Sequence, residues 1–168
     1  KLLRIIGHCI IFIGKLQARV TDKNKHFKQT INFPTKMSPD TLNLAENILL
    51  RFMQQKYIND IYTYCKTKRG IKSALIKQLH LFFDSQFQLV RVQTRIPLPQ
   101  SYFGQKQYPI FLPAKCKFTE KVIRHFHMLC MHGNINVTLT SIRTKFWLQT
   151  KRTIQKVIRD CTTCTRYG

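Results

Sequence analysis

His127-Met128-Leu129-Cys130-Met131-His132, followed downstream by Cys161-Thr162-Thr163-Cys164, decides how this 168-residue chain folds. The two stretches spell H-x4-H, then 28 intervening residues, then C-x2-C. Two imidazoles and two thiolates are the donor set that a structural Zn²⁺ takes in tetrahedral geometry, at about 2.0–2.3 Å per bond. In the common zinc finger the cysteine pair comes first; here the histidines lead. Either pair alone is weak evidence. Together, with a helix-sized insert between them, they point to a metal held by His127, His132, Cys161 and Cys164.

The spacing suits a helical scaffold. Phe118-Thr119-Glu120 predicts a helix start with Thr119 as cap, and Val122, Ile123, Phe126 and Leu129 form an apolar stripe. His127 then falls on the last turns, and His132 lies just beyond, where Gly133-Asn134 stops the helix. Val137, Leu139, Ile142 and Phe146 predict a second short helix, closed by Trp147-Leu148. Ile154, Val157, Ile158 and Cys161 recur at i, i+3, i+4, i+7 and predict a third, which delivers both cysteines at its end. Three short helices in about 45 residues bury too little surface to stand alone. A metal bound through four side chains supplies on the order of 10 kcal/mol to such a module. Two further side chains compete for a role. His125 points away from His127 on a helix and is expected in solvent, whereas Cys130 shares the face of His127 and makes H-x2-C a rival ligand pair.

Charge narrows the partner. Lys and Arg number 29 against 7 Asp and Glu, a formal net charge of +22. The excess is +6, +8 and +8 over residues 1–60, 61–120 and 121–168, so it is not a basic tail on a neutral domain. Such a surface attracts phosphate backbones, with strongly salt-dependent binding. Arg143, Lys145, Lys151, Arg152, Lys156 and Arg159 lie on or beside the last two predicted helices. Their placement is like that of a helix-turn-helix offering basic side chains to DNA phosphates.

Upstream, Ile5 to Ile13 is the most apolar run, nine residues with Gly7 and His8 inside, too short to span a bilayer. A packed helix is expected, no secretory signal, and no membrane partner. Arg19 to Met37 is lysine-rich and aperiodic and reads as an exposed connection. Ser38-Pro39-Asp40 is a helix start with Ser38 as cap, and Leu42, Ala45, Leu49 and Phe52 fall on one face of a helix reaching about Lys56. Tyr57 to Thr67 predicts another short helix. Residues 87–96 alternate as a strand does, Pro97 and Pro99 end it, and Tyr108 to Leu112 predicts a second, shorter strand. The fold class is therefore α+β, mainly α: helices and a short β segment over 1–97, then a zinc-stapled three-helix module over 98–168.

Asp22, Asp84 and Glu120, the last two with 35 residues between them, imitate a two-metal carboxylate triad. Their surroundings argue against it. Asp22 sits in a basic aperiodic stretch, Asp84 lies between an apolar pair and a strand, and Glu120 suits the dipole of a helix start. With no other acidic cluster, serine triad or glycine-rich phosphate loop, no catalytic residue is assigned.

Tyr108-Pro109-Ile110-Phe111-Leu112-Pro113, Phe118-Thr119, Val122-Ile123, His127 and His132-Gly133 resemble the zinc-binding domain of retroelement integrases. So do Thr138-Leu139, Ile142-Arg143, Phe146-Trp147, Val157-Ile158 and Cys161-Thr162-Thr163-Cys164. The resemblance is to BEL/Pao-type LTR retrotransposon polyproteins in particular. It extends upstream through Leu2-Leu3-Arg4, Phe12-Ile13, Ala45-Glu46, Leu49-Leu50-Arg51 and the stretch from Phe82 and Asp84 to Arg95-Ile96. Gln93-Thr94 replaces a glycine pair, Cys116 stands where a histidine is common, and Gly133-Asn134 replaces a small residue and glycine. The resemblance implies one structural Zn²⁺, binding to retroelement DNA ends, and self-association through a parent integrase. It also implies an intracellular setting in the nucleus or a cytoplasmic virus-like particle, with a catalytic core beyond Gly168. Both ends then read as cuts in a longer polypeptide, a fragment that catalyses nothing alone. Two other classes remain: a domesticated module binding nucleic acid without integration, and a secreted cationic protein with its six cysteines in disulfides.

Overall fold

The computed structural model describes residues 2–23, 34–70, 73–94, 108–114, 116–148 and 151–167. The chain divides into two compact units, 1–50 and 51–168. In the first, α1 (Leu2–Lys23) carries the apolar run, with Gly7, Ile10 and Ile11 buried. A methyl group at Gly7 would meet the Met37 thioether at 3.0 Å, so the absent Cβ is what lets the next segment approach. Helix α1 continues to Lys23, past the point where the expected connection begins, since no glycine or proline interrupts Lys15 to Lys23. Ser38 caps α2 (Pro39–Tyr57) as expected: its Oγ accepts the Thr41 N–H at 3.2 Å, and the buried Thr41 hydroxyl donates to the Lys36 carbonyl at 2.9 Å. Ala45 and Leu49 are buried, but Phe52 is 55% exposed, so the apolar face turns away from that position.

The second unit holds the sheet. Helices α3 (Asn59–Thr67) and α4 (Ala74–Gln78) precede the hairpin of β1 (Leu81–Asp84) and β2 (Leu89–Val92). Asp84 closes the hairpin turn, its Oδ1 accepting the Gln86 N–H at 3.0 Å and its Oδ2 pairing with Arg91 Nε at 2.6 Å. β3 (Ile110–Leu112) pairs antiparallel with β2 on one edge and parallel with β4 (Phe146–Leu148) on the other. All three β3 residues are buried, so both its edges need hydrogen-bond partners. That requirement overrides the expectation that Trp147-Leu148 closes a helix: the pair instead forms a strand, in register with Phe111 and Leu112. The divide expected after residue 97 falls among residues outside those described; β2 before it and β3 after it share one sheet.

Tyr62, Cys65, Ile76, Leu81, Val90, Val92 and Phe111 form one core cluster, with Trp147 against its edge. Gln54 on α2, fully buried, braces this half. Its Nε2 donates to the Val90 carbonyl at 2.9 Å and to the Phe111 carbonyl at 2.8 Å, while Oε1 accepts the Val90 N–H at 2.8 Å. Beyond β3, α5 (Lys117–Leu129), α6 (Ile135–Arg143) and α7 (Lys151–Arg159) pack on one another around Ile123, Leu139, Ile142, Ile154 and Val157. A short α8 (Thr162–Tyr167) follows. The α+β, mainly α, architecture and its helical C-terminal module are as the sequence predicts. Among the described residues, no helix is long and apolar enough to cross a membrane.

Candidate metal centre

Four donors converge where α5 ends. The ligand atoms of His127, His132, Cys161 and Cys164 all lie within 4.8 Å of one another. His127 Nε2 is 3.2 Å from Cys164 Sγ and 3.2 Å from His132 Nδ1. His132 Nδ1 is 3.3 Å from Cys161 Sγ and 3.7 Å from Cys164 Sγ. A tetrahedron with Zn–N and Zn–S bonds of about 2.0–2.3 Å has edges of about 3.3–3.8 Å. The donor spacing therefore fits one Zn²⁺, taken through Nε2 of His127 and Nδ1 of His132. Protein fills all four positions, the mark of a structural rather than a catalytic zinc.

Each ligand's position has a local cause. Helix α5 opens on Cys116, not on Thr119 as expected. Thr119 lies in the first turn facing inward, fully buried, and its hydroxyl donates to the Pro113 carbonyl at 2.7 Å. Thr119, Ile123 and His127 succeed one another at i, i+4, i+8 along the buried stripe, so the histidine occupies a core position while Leu129 is 61% exposed. The helix then ends in a Schellman turn. The Met131 N–H donates to the Met128 carbonyl and the His132 N–H to the His127 carbonyl, both at 3.0 Å. This second bond ties the two histidines through their backbones, and it explains why they sit five residues apart. In most such turns the paired positions meet through an apolar contact; here they meet through imidazoles suited to one ion. Met131 (φ 50°) and His132 (φ 58°) both take the left-handed conformation that favours glycine.

The Asn134 side chain accepts the Val137 N–H at 3.0 Å and starts α6; the expected stop at Gly133-Asn134 falls later than the observed one, because α5 already ends at Leu129 and Met131 and His132 make the left-handed turn. Cys161 lies just past α7, after Asp160, and Cys164 sits on α8. The Thr165 hydroxyl donates to the Cys161 carbonyl at 2.9 Å and fixes the turn between them. The backbone N–H of Cys164 is the main cause that lowers the Cys161 thiol from 9.0 to about 6; desolvation opposes this, and hydrogen bonds from His127 and the Thr163 N–H assist. Desolvation, with Cys161 as neighbour, raises the Cys164 thiol instead. Cys161 is thus the first thiolate to form.

The rival pair is not assembled: Cys130 is the C-cap of α5 and stands outside the four-donor group. His125 is exposed, as expected. All six cysteines are free. Asp84 is taken up by Arg91, and Glu120 meets Lys156 at 3.4 Å. Arg143, Lys145, Lys151, Arg152, Lys156 and Arg159 are all exposed. Arg152, Lys156 and Arg159 follow one another along one side of α7, while Arg143 stacks 4.9 Å from the Trp147 ring and Lys145 lies 5.4 Å from the Phe146 ring. Lys151 Nζ reaches Asn136 Oδ1 at 3.3 Å.

Residues 114–168 match the family model of the integrase zinc binding domain. This segment is an integrase-type zinc-binding domain. No curated protein and no solved structure matches the chain. Thr138, which enters the sequence reading only through the resemblance and without a role, is buried. Its Oγ1 is 3.5 Å from His127 Nδ1 and 3.3 Å from the Gly133 carbonyl. A threonine four residues past an N-cap was a signal available in the sequence. An open groove of about 670 Å³ beside Cys164, lined by Ile135, Gln155, Ile158, Arg159 and Thr165, has no such local signature.

Proposed function

We propose that the chain is a stretch of a BEL/Pao-type LTR retrotransposon integrase in which the zinc domain helps the parent protein hold DNA and self-associate. By itself it is non-catalytic, and it works in the nucleus or in a cytoplasmic virus-like particle. The observation carrying this is one zinc-type donor set beside a helix that turns Arg152, Lys156 and Arg159 outward in a chain of net charge +22. His127, His132, Cys161 and Cys164 would hold Zn²⁺, and its role would be structural, joining the end of α5 and the turn that follows it to the α7–α8 turn. The basic side chains then bind phosphates, which positions a protein on DNA without reading its sequence. The groove beside Cys164 places Arg159 and Gln155 along an apolar floor of Ile135 and Ile158, next to that basic side.

The test replaces Lys151, Arg152, Lys156 and Arg159 together by glutamine. Zinc content and helicity are expected to be unchanged. DNA affinity should fall, and the slope of log affinity against log salt should flatten by up to about 3–4, close to one unit for each phosphate that is no longer neutralised. Unchanged affinity and slope would remove α7 from the DNA-facing surface and assign it to integrase assembly.

A further inference from the structure

We infer that Thr138 is a positioning residue for the metal. It holds the His127 imidazole in the tautomer that leaves Nε2 free to ligate. The inference rests on the zinc site described above and concerns a residue outside the ligand set.

Thr138 is fully buried, and so, at 1% exposure, is His127. Neither side chain can satisfy its polar atoms with water, so their partners must come from the protein. A threonine hydroxyl has one proton to give and two lone pairs to receive with. The Gly133 carbonyl, 3.3 Å from Oγ1, can only accept, so the hydroxyl proton goes there. Toward His127 Nδ1, 3.5 Å away, the same oxygen is then left as an acceptor. Nδ1 must carry the imidazole proton, and Nε2, on the opposite side of the ring, keeps its lone pair. Nε2 is the atom that faces Cys164 Sγ and His132 Nδ1.

The proton assignment and the donor geometry agree independently. A partner on the second ring nitrogen is how metal-binding histidines are commonly fixed in tautomer and orientation, and its removal typically costs 10- to 100-fold in metal affinity. The arrangement also links ligand to scaffold. Gly133 closes the turn after α5 through its N–H on the Cys130 carbonyl, at 2.9 Å, and Thr138 lies in the second turn of α6. One hydroxyl thus ties the α5 terminus, α6 and the most buried ligand together.

The experiment uses the full chain loaded with zinc, in wild type, Thr138→Val and Thr138→Ser forms. Zinc affinity is measured by competition with a chromogenic chelator, and the His127 tautomer by ¹⁵N correlation spectra of the imidazole ring. Thr138→Val keeps the shape without the hydroxyl. It should bind zinc about 10- to 100-fold more weakly and lose the protected Nδ1–H signal of His127, with the His132 pattern unchanged. Thr138→Ser should stay within about threefold of wild type and keep the signal. If the valine variant does not fold, Thr138→Ala against Thr138→Ser makes the same comparison. A valine variant with wild-type affinity and tautomer overturns the inference and leaves the zinc site standing. So does a serine variant as weak as valine. Absence of zinc from the wild type overturns both.

Discussion

Residues 51–94 and 116–167 belong to one compact unit but are closed by different means. In the first, seven buried apolar residues, one of them Phe111 from β3, form a cluster, and the polar atoms of β2 and β3 that face it are met by the neutral amide of Gln54. In the second, a fully buried histidine and two cysteines crowd around a second histidine, a donor set suited to one cation. The first half carries its hydrogen-bond partners covalently, so it can close as soon as it collapses. The second half must recruit its partner from solution. The two meet at the β3–β4 ladder, with Ile110 opposite Phe146. Stability in this unit should therefore be metal-dependent on one side of that ladder only.

The largest effect is expected from Cys161→Ser. It removes a ligand whose complete set is worth on the order of 10 kcal/mol. Residues from about 116 onward should lose protection from hydrogen exchange, while 51–94 keep theirs; loss throughout would make the two halves one cooperative block. Acid produces the same disruption by titration. The Cys161 thiol is lowered in the folded protein, from 9.0 to about 6, so the stabilisation its thiolate contributes is full above pH 9 and lost as pH falls through about 6. A Cys161 thiol that titrates near its ordinary 9.0 in the metal-free protein would contradict this; bound zinc lowers the thiol further still.

A smaller effect, on the other side of the ladder, is expected from Gln54→Leu. The variant leaves the Val90 N–H and the Val90 and Phe111 carbonyls without their present partner. An unmet buried group costs about 1–3 kcal/mol, so a loss of about 3 kcal/mol or more in urea unfolding is expected, with zinc stoichiometry still one. If zinc is lost together with stability, the brace and the metal site are not separable.

The smallest effect falls on the metal side. Met131 is 88% exposed and left-handed, so its side chain contributes strain without packing. Met131→Gly relieves about 1–2 kcal/mol of that strain but adds about 0.5–1 kcal/mol of unfolded-chain entropy, for a net gain of about 0.5 kcal/mol. Denaturant titration of the zinc-loaded protein measures it, and a loss of stability would mean that the methionine packs against something.

What could be read from residues alone was local in sequence. The four donors, the Ser38 cap and the helix leading to Cys161 are each set by spacings of a few residues, where helical period and capping chemistry act directly. Where Thr119, Phe52 and Leu129 depart from that reading, the cause is that residue order does not say which side is inside. Thr119 looks like a cap until the position of Pro113 shows its hydroxyl turned inward. Phe52 and Leu129 look like core until the helices are oriented and both are left exposed.

Residue order alone dictated the donor set and its histidine-first arrangement, because these depend on residue identity and on the spacing of near neighbours. Packing in three dimensions was needed to show which ring nitrogen each histidine offers, that Thr138 lies behind His127, that Gln54 satisfies two strands, and that Phe146–Leu148 is a strand parallel to β3. Those contacts join residues far apart in the chain. They form because buried backbone and side-chain polar groups must find partners wherever packing brings one within reach, and no short-range pattern records where that will be.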